Sequence, residues 1–371
     1  MMNIPFLRPH LVNQEDLSPY LREIDASRQY SNFGPLNARL EKVILGDYFD
    51  GVGAVTTVNN ATTGLILALS RCKRPHGKYV LMPSFTFSAT PLSALWCGLE
   101  PYFVDVNKDD WCMDTVMVEE LLSTLGDQVA AIMPYATFGT DMALTYYASL
   151  HDSGIPIIVD AAASFGVNGQ YGHFGKGFPG AVVFSFHATK SFGVGEGGLI
   201  YSRDEGFISD IRHTENFGFT EGRETALKGL NGKMSEYPAA IGLATLPAYP
   251  HKISERQKVH QWYVDALTDK RLLSEGWELQ AAKGRVPYQF MPVLCPPEKN
   301  NHEIIETLNQ DQIEARTYFS PPCHQHPLFS NHKRTTMHHT DHISRRIVSL
   351  PLWEEMTEPL VERIVKRMTF S

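Results

Sequence analysis

Cysteine is scarce and shows no pairing pattern: Cys72, Cys97, Cys112, Cys295 and Cys323 are scattered, odd in number and without a CxxC spacing. That argues against a structural zinc or a disulfide framework and fits a reducing cytoplasm. Basic excess is also missing. Lys and Arg number 33 against 41 Asp and Glu, a formal net charge of -8, so no electrostatic footprint for nucleic acid or anionic lipid exists. "MMNIPFLRPH" lacks an apolar h-region, and no secretory signal peptide is expected. Long apolar runs are absent with one exception, "VLMPSFTFSATPLSALWCGL" (80–99), twenty residues without a charge. Pro83, Pro91 and the interspersed Ser and Thr divide that run into strand, turn and buried helix, so no membrane span is expected. Internal repeats and low-complexity tracts do not occur either.

What remains is an ordinary globular composition, 43% hydrophobic and 20% charged over 371 residues, enough for one to three domains. Strand-like runs occur at 78–82, 101–106, 130–137, 155–160, 181–186 and 198–202. Between them, "TTGLILALSR", "SATPLSALWCG", "DTVMVEELLSTLG" and "MALTYYASLHDSG" carry helical apolar spacing. Such alternation predicts an α/β fold with a mostly parallel sheet flanked by helices, whose ligands sit at the carboxyl ends of the strands. After about residue 245 the texture changes to one long helix, weaker strand signals and a last helix beginning near Thr357. The expected division is a large domain over 1–245 and a smaller C-terminal α+β domain over 246–371.

Four stretches carry chemistry. Gly193, Gly195 and Gly198 match G-x-G-x-x-G, but "LIYS" follows them, and a dinucleotide fingerprint must open a helix. A glycine-rich connection between two strands is the better account. In "VNNATTGLILAL" (58–69), Asn59, Asn60 and Thr62 head a strand-to-helix turn, which serves either as a cap or as an anion cradle of free amides. Asp160 ends the apolar "IPIIVD", where a carboxylate is costly unless a cation meets it or it caps the next helix. "NHKRTTMHHTDH" (331–342) holds His332, His338, His339 and His342 without a two-His-plus-carboxylate helical motif, so a solvated segment rather than a metal site is expected.

Lys190, in "SFHATKSFGVGEGG", completes a pattern. An anion cradle, a buried Asp and, thirty residues later, a lysine are what a protein contributes to pyridoxal 5'-phosphate chemistry: phosphate anchor, partner for the ring nitrogen and Schiff-base lysine. The order resembles fold-type I aminotransferases. Beyond that order, "IPFLRPHL" with "SNFGPLNARLEKV", then "NNATTGLILAL", "PSFTFSAT", "VDAAASFG", "SFHATKSFGVGEGG", "NGKMSEYPAAIGLATL" and "YFSPPCHQHPLF" resemble the DegT–DnrJ–StrS family of nucleotide-sugar aminotransferases over nearly the whole chain.

The resemblance implies a fold-type I large domain with a seven-stranded sheet, a cytoplasmic homodimer with shared active sites, and pyridoxal phosphate passing through pyridoxamine phosphate. Its implied substrates are L-glutamate and a nucleotide-linked keto sugar. "NNAT", "SFHATK" and "NGKMSE" most resemble the VioA-type enzymes, which aminate carbon 4 of dTDP-4-keto-6-deoxyglucose; amination at carbon 3 shares every motif. Use in surface-polysaccharide assembly (O-antigen, lipopolysaccharide) is implied with it. A non-catalytic protein on the same scaffold is disfavoured because Asp160, Ser185 and Lys190 are all present. By position, Lys190 bonds the cofactor and moves the proton, while Asp160 keeps the ring nitrogen protonated. Ala61 and Thr62 offer amides and a hydroxyl to the phosphate, joined by the Ser185 hydroxyl; Asn60 and His187 also lie at the cofactor, Phe87 stacks on the ring, and Asn231 reaches the neighbouring subunit's phosphate. Phe33, Glu196, Arg316 and His324 fall on the substrate side. Two positions depart from the family: Ala163 replaces a Gln or His, leaving Ser164, His187 or water for the ring hydroxyl, and Ala61 replaces a glycine.

Overall fold

A computed structural model describes residues 3–220 and 222–369. Helices α1 (Gln14–Ser27) and α2 (Pro35–Phe49) precede strand β1 (Ala54–Val58). The alternation that follows is α3 (Ala61–Cys72), β2 (Tyr79–Pro83), α4 (Ala89–Trp96), β3 (Glu100–Val104), α5 (Thr115–Leu125), β4 (Val129–Ile132), α6 (Leu144–Asp152) and β5 (Ile158–Asp160). A small hairpin of β6 (Asn168–Gly169) and β7 (Gly172–His173) leads to β8 (Ala181–Ser185) and β9 (Gly198–Ser202). Then come α7 (Glu205–Thr214), α8 (Glu236–Thr245) and α9 (Tyr249–Asp269). The chain ends with β10 (Glu278–Leu279), β11 (Met291–Leu294), α10 (Asn301–Gln310), α11 (His338–Arg346), β12 (Ile347–Leu350) and α12 (Glu358–Lys366). The four helices read between the early strands, the long α9 and the late α12 fall where their apolar spacing predicts.

The seven main strands divide into two sheets, ordered β1-β9-β8-β5 and β3-β2-β4. β2 runs parallel to β3 and β4, and β5 parallel to β8, while β9 is antiparallel to both neighbours. Between the facing edges only two parallel bridges form, Ile132–Ile157 and Tyr135–Asp160, so the expected continuous seven-stranded ladder is interrupted. The reason is two prolines in the seam. Pro134 and Pro156 have no N–H to donate and act only as acceptors, Pro156 from Ile132 at 2.9 Å and Pro134 from Asp160 at 2.8 Å.

Apolar side chains cover both faces of these sheets, with Leu40, Val159, Phe184 and Tyr201 in one buried cluster and Leu67, Met82, Val183 and Ile200 in another. A separate buried cluster, including Tyr263, Val293, Leu308, Val348 and Ile364, lies under the antiparallel sheet β10-β11-β12 with α9, α10 and α12. Ile4 joins this C-terminal cluster by pairing with Ile313. Two details differ from the sequence reading. β1 was not among the strand-like runs, and the segment expected to be solvated, 331–342, turns helical from His338. There Thr340, Ile343, Ser344 and Arg346 are buried, and Asp105 accepts from the N–H groups of His339 and Thr340 at 2.8 and 2.7 Å. Among the described residues, no helix is long and apolar enough to cross a membrane.

Candidate active site

The glycine-bearing segment between β8 and β9 is a compact turn between antiparallel strands. The Val194 N–H donates to the Phe186 carbonyl across it at 2.8 Å, and Gly195 takes φ +98°, a conformation side chains rarely allow. Its two ends are anchored by burial. Phe186 and Phe192 are fully buried, meet edge to face with centroids 4.9 Å apart, and each lies 4.9 Å from Phe165. Burying each ring is worth about 2–3 kcal/mol. Ser191 adds a 2.9 Å contact to the Tyr249 hydroxyl, which donates to the Phe165 carbonyl at 2.7 Å. Lys190 therefore stands on a fixed base with its amine directed inward. Burial pulls that amine down from 10.5 to about 8, against the opposing pull of Asp160.

Asp160 ends β5, in register with Val183 of β8, so it and Ser185 sit at neighbouring carboxyl ends. The carboxylate is buried and held twice: Thr90 donates to Oδ2 at 2.7 Å and the Ala162 N–H to Oδ1 at 3.1 Å. Thr90 has one hydroxyl proton, so the 2.8 Å contact with Thr86 has Thr86 as donor. Burial raises the Asp160 pKa, while these hydrogen bonds and Lys190 draw it back. The Thr86–Thr90 chain was invisible as a site in sequence, although its block was quoted; threonines four apart on the turn into α4 were the available signal.

At the head of α3, the Asn60 side chain accepts from the Thr63 N–H at 2.9 Å. The preceding amides of Ala61 and Thr62 have no intrahelical acceptor, at the positive end of the helix dipole. Gly198 opens β9 against this mouth: a Cβ there would lie 3.0 Å from Ala61 N and 2.8 Å from Phe184 O. Bare backbone is required for the approach. Ala61 itself is an ordinary helical residue, so the departure from glycine costs no strain. The capping reading of this turn is met by the Asn60 side chain, and the amides of Ala61 and Thr62 are left without an intrahelical acceptor.

The remaining predicted residues group unevenly. His187 lies beside the site, its N–H on Ser185 Oγ at 3.3 Å, its ring between Thr189 at 2.8 Å and Glu196 at 3.5 Å. Phe87 is 61% exposed, with Phe319 of the C-terminal block 6.4 Å away. Next to Ala163, Ser164 carries a fully buried hydroxyl with no partner among the described residues. Asn231 is exposed beside its own chain's Asn59, which donates to the Asn231 carbonyl at 3.4 Å, and its side chain accepts from Lys233 at 2.9 Å.

Three substrate-side candidates are engaged by contacts within the chain. Phe33 lies under the Arg212 guanidinium at 4.0 Å. Arg316 is exposed, 3.5 Å from Glu314 and 5.5 Å from the Phe6 ring. His324 is buried; Ser84 Oγ accepts from its N–H at 2.9 Å and donates to Nδ1 at 2.7 Å, leaving Nε2–H for Asp341 at 3.3 Å. It ties the C-terminal block to the end of β2. One residue that no motif announced does reach the centre: Gln289 accepts from Lys190 Nζ at 3.1 Å.

A buried carboxylate opposite a depressed amine, an open helix mouth and an exposed ring at the rim fit pyridoxal phosphate on donor chemistry alone. Comparison with known proteins points the same way. The sequence profile of the DegT/DnrJ/EryC1/StrS aminotransferase family matches residues 12–369. A crystal structure of an inferred PLP-dependent aminotransferase from Bacillus cereus ATCC 10987 is 50% identical, covers 99% of this chain and 100% of that chain, and superposes with a TM-score of 0.97. Protein Rv3402c of Mycobacterium tuberculosis is 33% identical over 98% of this chain and 88% of its own. The dTDP-4-amino-4,6-dideoxy-D-glucose transaminase of Escherichia coli is 28% identical over 98% and 97% respectively.

Proposed function

Because the chain belongs to the DegT/DnrJ/EryC1/StrS aminotransferase family, a family of pyridoxal-phosphate enzymes, we propose that it moves an amino group from L-glutamate to carbon 4 of a nucleotide-linked 4-keto-6-deoxy sugar, dTDP-4-keto-6-deoxyglucose. The Escherichia coli relative supports this substrate through its name, and "NNAT", "SFHATK" and "NGKMSE" support it in sequence. The observation that carries the reading is the placement of Lys190, on the fixed turn that follows β8, next to the strand β5 that ends in the buried carboxylate of Asp160.

When bound, the cofactor supplies a ring that withdraws electrons from the carbon bearing the transferred nitrogen. Everything else falls to this chain. Ala61 and Thr62 would hold the phosphate with their amides and Ser185 with its hydroxyl, while Phe87 would cover one face of the ring. Asp160 would keep the ring nitrogen protonated, and the Thr86–Thr90 chain holds that carboxylate in place. The buried hydroxyl of Ser164 would serve the ring hydroxyl in place of the side chain Ala163 lacks. Lys190 takes and returns the proton at the reacting carbon. Burial lowers its pKa to about 8, so far more of the amine is neutral near neutral pH than for an ordinary lysine.

The active unit proposed is a cytoplasmic homodimer, in which Asn231 reaches the other subunit's phosphate. Its exposure, and that of Phe87, supports this reading. A division at 245/246 is proposed with it, supported by the separate apolar cluster under the C-terminal sheet. The test is an assay of the purified chain with L-glutamate and dTDP-4-keto-6-deoxyglucose, following 2-oxoglutarate and the mass of the amino sugar. Turnover of only a 3-keto isomer would move the reaction to carbon 3, and turnover of neither would remove the sugar assignment.

A further inference from the structure

Gln289 comes from the C-terminal part of the chain, ninety-nine positions after the lysine it touches. The segment leading to it is laced to the large sheets. Gln280 donates to the carbonyls of Asp110 and Thr137 at 2.8 and 3.0 Å, and the Lys283 N–H to Thr140 Oγ1 at 2.9 Å. Arg285 then donates its N–H to the Asn168 carbonyl at 2.7 Å. Both neighbours of Gln289 are fixed as well. The Tyr288 ring stacks on His260 with centroids 3.8 Å apart, and its carbonyl accepts from Arg256 at 2.7 Å. Arg256 is itself buried and paired with Glu354 at 2.7 Å. On the other side Phe290 is buried 5.0 Å from Phe138. The backbone at Gln289 is therefore fixed on both flanks, and its carboxamide oxygen meets the Lys190 amine at 3.1 Å.

We propose that Gln289 is a positioning residue that holds the Lys190 amine by a neutral carbonyl oxygen whenever that amine is not bonded to the cofactor. The inference rests on the aminotransferase reading, in which the amine is released for half of each cycle. Neutrality is the essential property. A carbonyl accepts from either NH2 or NH3+, so it can orient the amine without strongly favouring the proton. A carboxylate at the same distance would hold the ammonium form, adding to the pull Asp160 already exerts. The amine would then be aimed correctly but seldom free to accept a proton.

The test uses the full chain stripped of cofactor, with Lys190 labelled by trinitrobenzenesulfonate at pH values from about 6 to about 10 and quantified by peptide mapping. Wild type is expected to show a labelling midpoint near 8. Gln289→Glu should move it up by about one pH unit or more, about tenfold less neutral amine at about pH 7.5. Gln289→Leu should leave the midpoint at or below the wild-type value while slowing the growth of visible absorbance when pyridoxal phosphate is added. A purely structural role would shift neither midpoint nor rate in a folded variant. If Gln289→Glu titrates with the wild type, the assignment is overturned even though the chain takes up cofactor. A wild-type chain that takes up none overturns the aminotransferase reading instead, and the assignment with it.

Discussion

Asp160 beside β8 and Glu215 beside β1 are both buried carboxylates, and each accepts from a threonine hydroxyl, at 2.7 Å from Thr90 and 2.6 Å from Thr56. Their surroundings then diverge. Asp160 has an amide on its second oxygen and Lys190 acting on it. The second oxygen of Glu215 has no partner among the described residues, and Glu41 adds a like charge, so burial pushes it up to about 8. Arg212, which could neutralise it, is committed to Glu41 at 2.8 Å. Near neutral pH Glu215 is largely an uncharged acid plugging a polar gap. Burial raises both pKa values, but only Asp160 carries a donor on each of its oxygens, and only Glu215 faces a like-charged neighbour.

Removing the cation should break the comparison most severely. Lys190→Ala is expected to keep the fold, seen by circular dichroism, and to lose transamination by on the order of 10⁵–10⁶-fold. Asp160→Asn should cost on the order of 10²–10³-fold in turnover and weaken cofactor retention, whereas Glu215→Gln should leave turnover within about threefold. Equal losses at both positions would erase the distinction. Thr90→Val sharpens it by leaving the carboxylate and deleting one donor; about a tenfold loss in kcat is expected, matching one hydrogen bond to a charged group.

The smallest effect on catalysis belongs to Glu215, and it is read in stability. Its folded pKa is raised, so the folded state binds the extra proton between the ordinary value of 4.5 and about 8. The stability it contributes is full below about 4.5 and is lost as pH rises through about 8. Urea titrations of Glu215→Gln should show a flatter profile across that window, by up to a few kcal/mol. Profiles that superpose would place Glu215 in a more solvated setting.

Legibility in sequence followed the range of the forces involved. Alternating apolar periods, the lysine between two strand-like runs and the Asp ending "IPIIVD" are local, and each stands where it was read. β1 was read only as an unplaced strand entering the Asn59 turn, because Thr56 and Thr57 look polar. Both are buried, with their hydroxyls donating to Glu215 at 2.6 Å and Glu41 at 3.0 Å, partners on other elements 159 and 16 positions away. Thr90 and Gln289 escaped for the same reason, their partners lying 70 and 99 positions away. The seam between the two sheets was hidden by prolines whose cost appears only once strands are paired. The contact of the His324 ring with Ser84 was hidden in the same way, its partner lying 240 positions away.

The central claim is that one amine, on Lys190, is the covalent seat of the cofactor. Pyridoxal phosphate added to the purified chain, followed by borohydride reduction and peptide mapping, addresses it directly. The expected result is a visible absorbance band that reduction removes, with the phosphopyridoxyl mass on Lys190. A mass increment confined to other lysines, or no band at all, would contradict it.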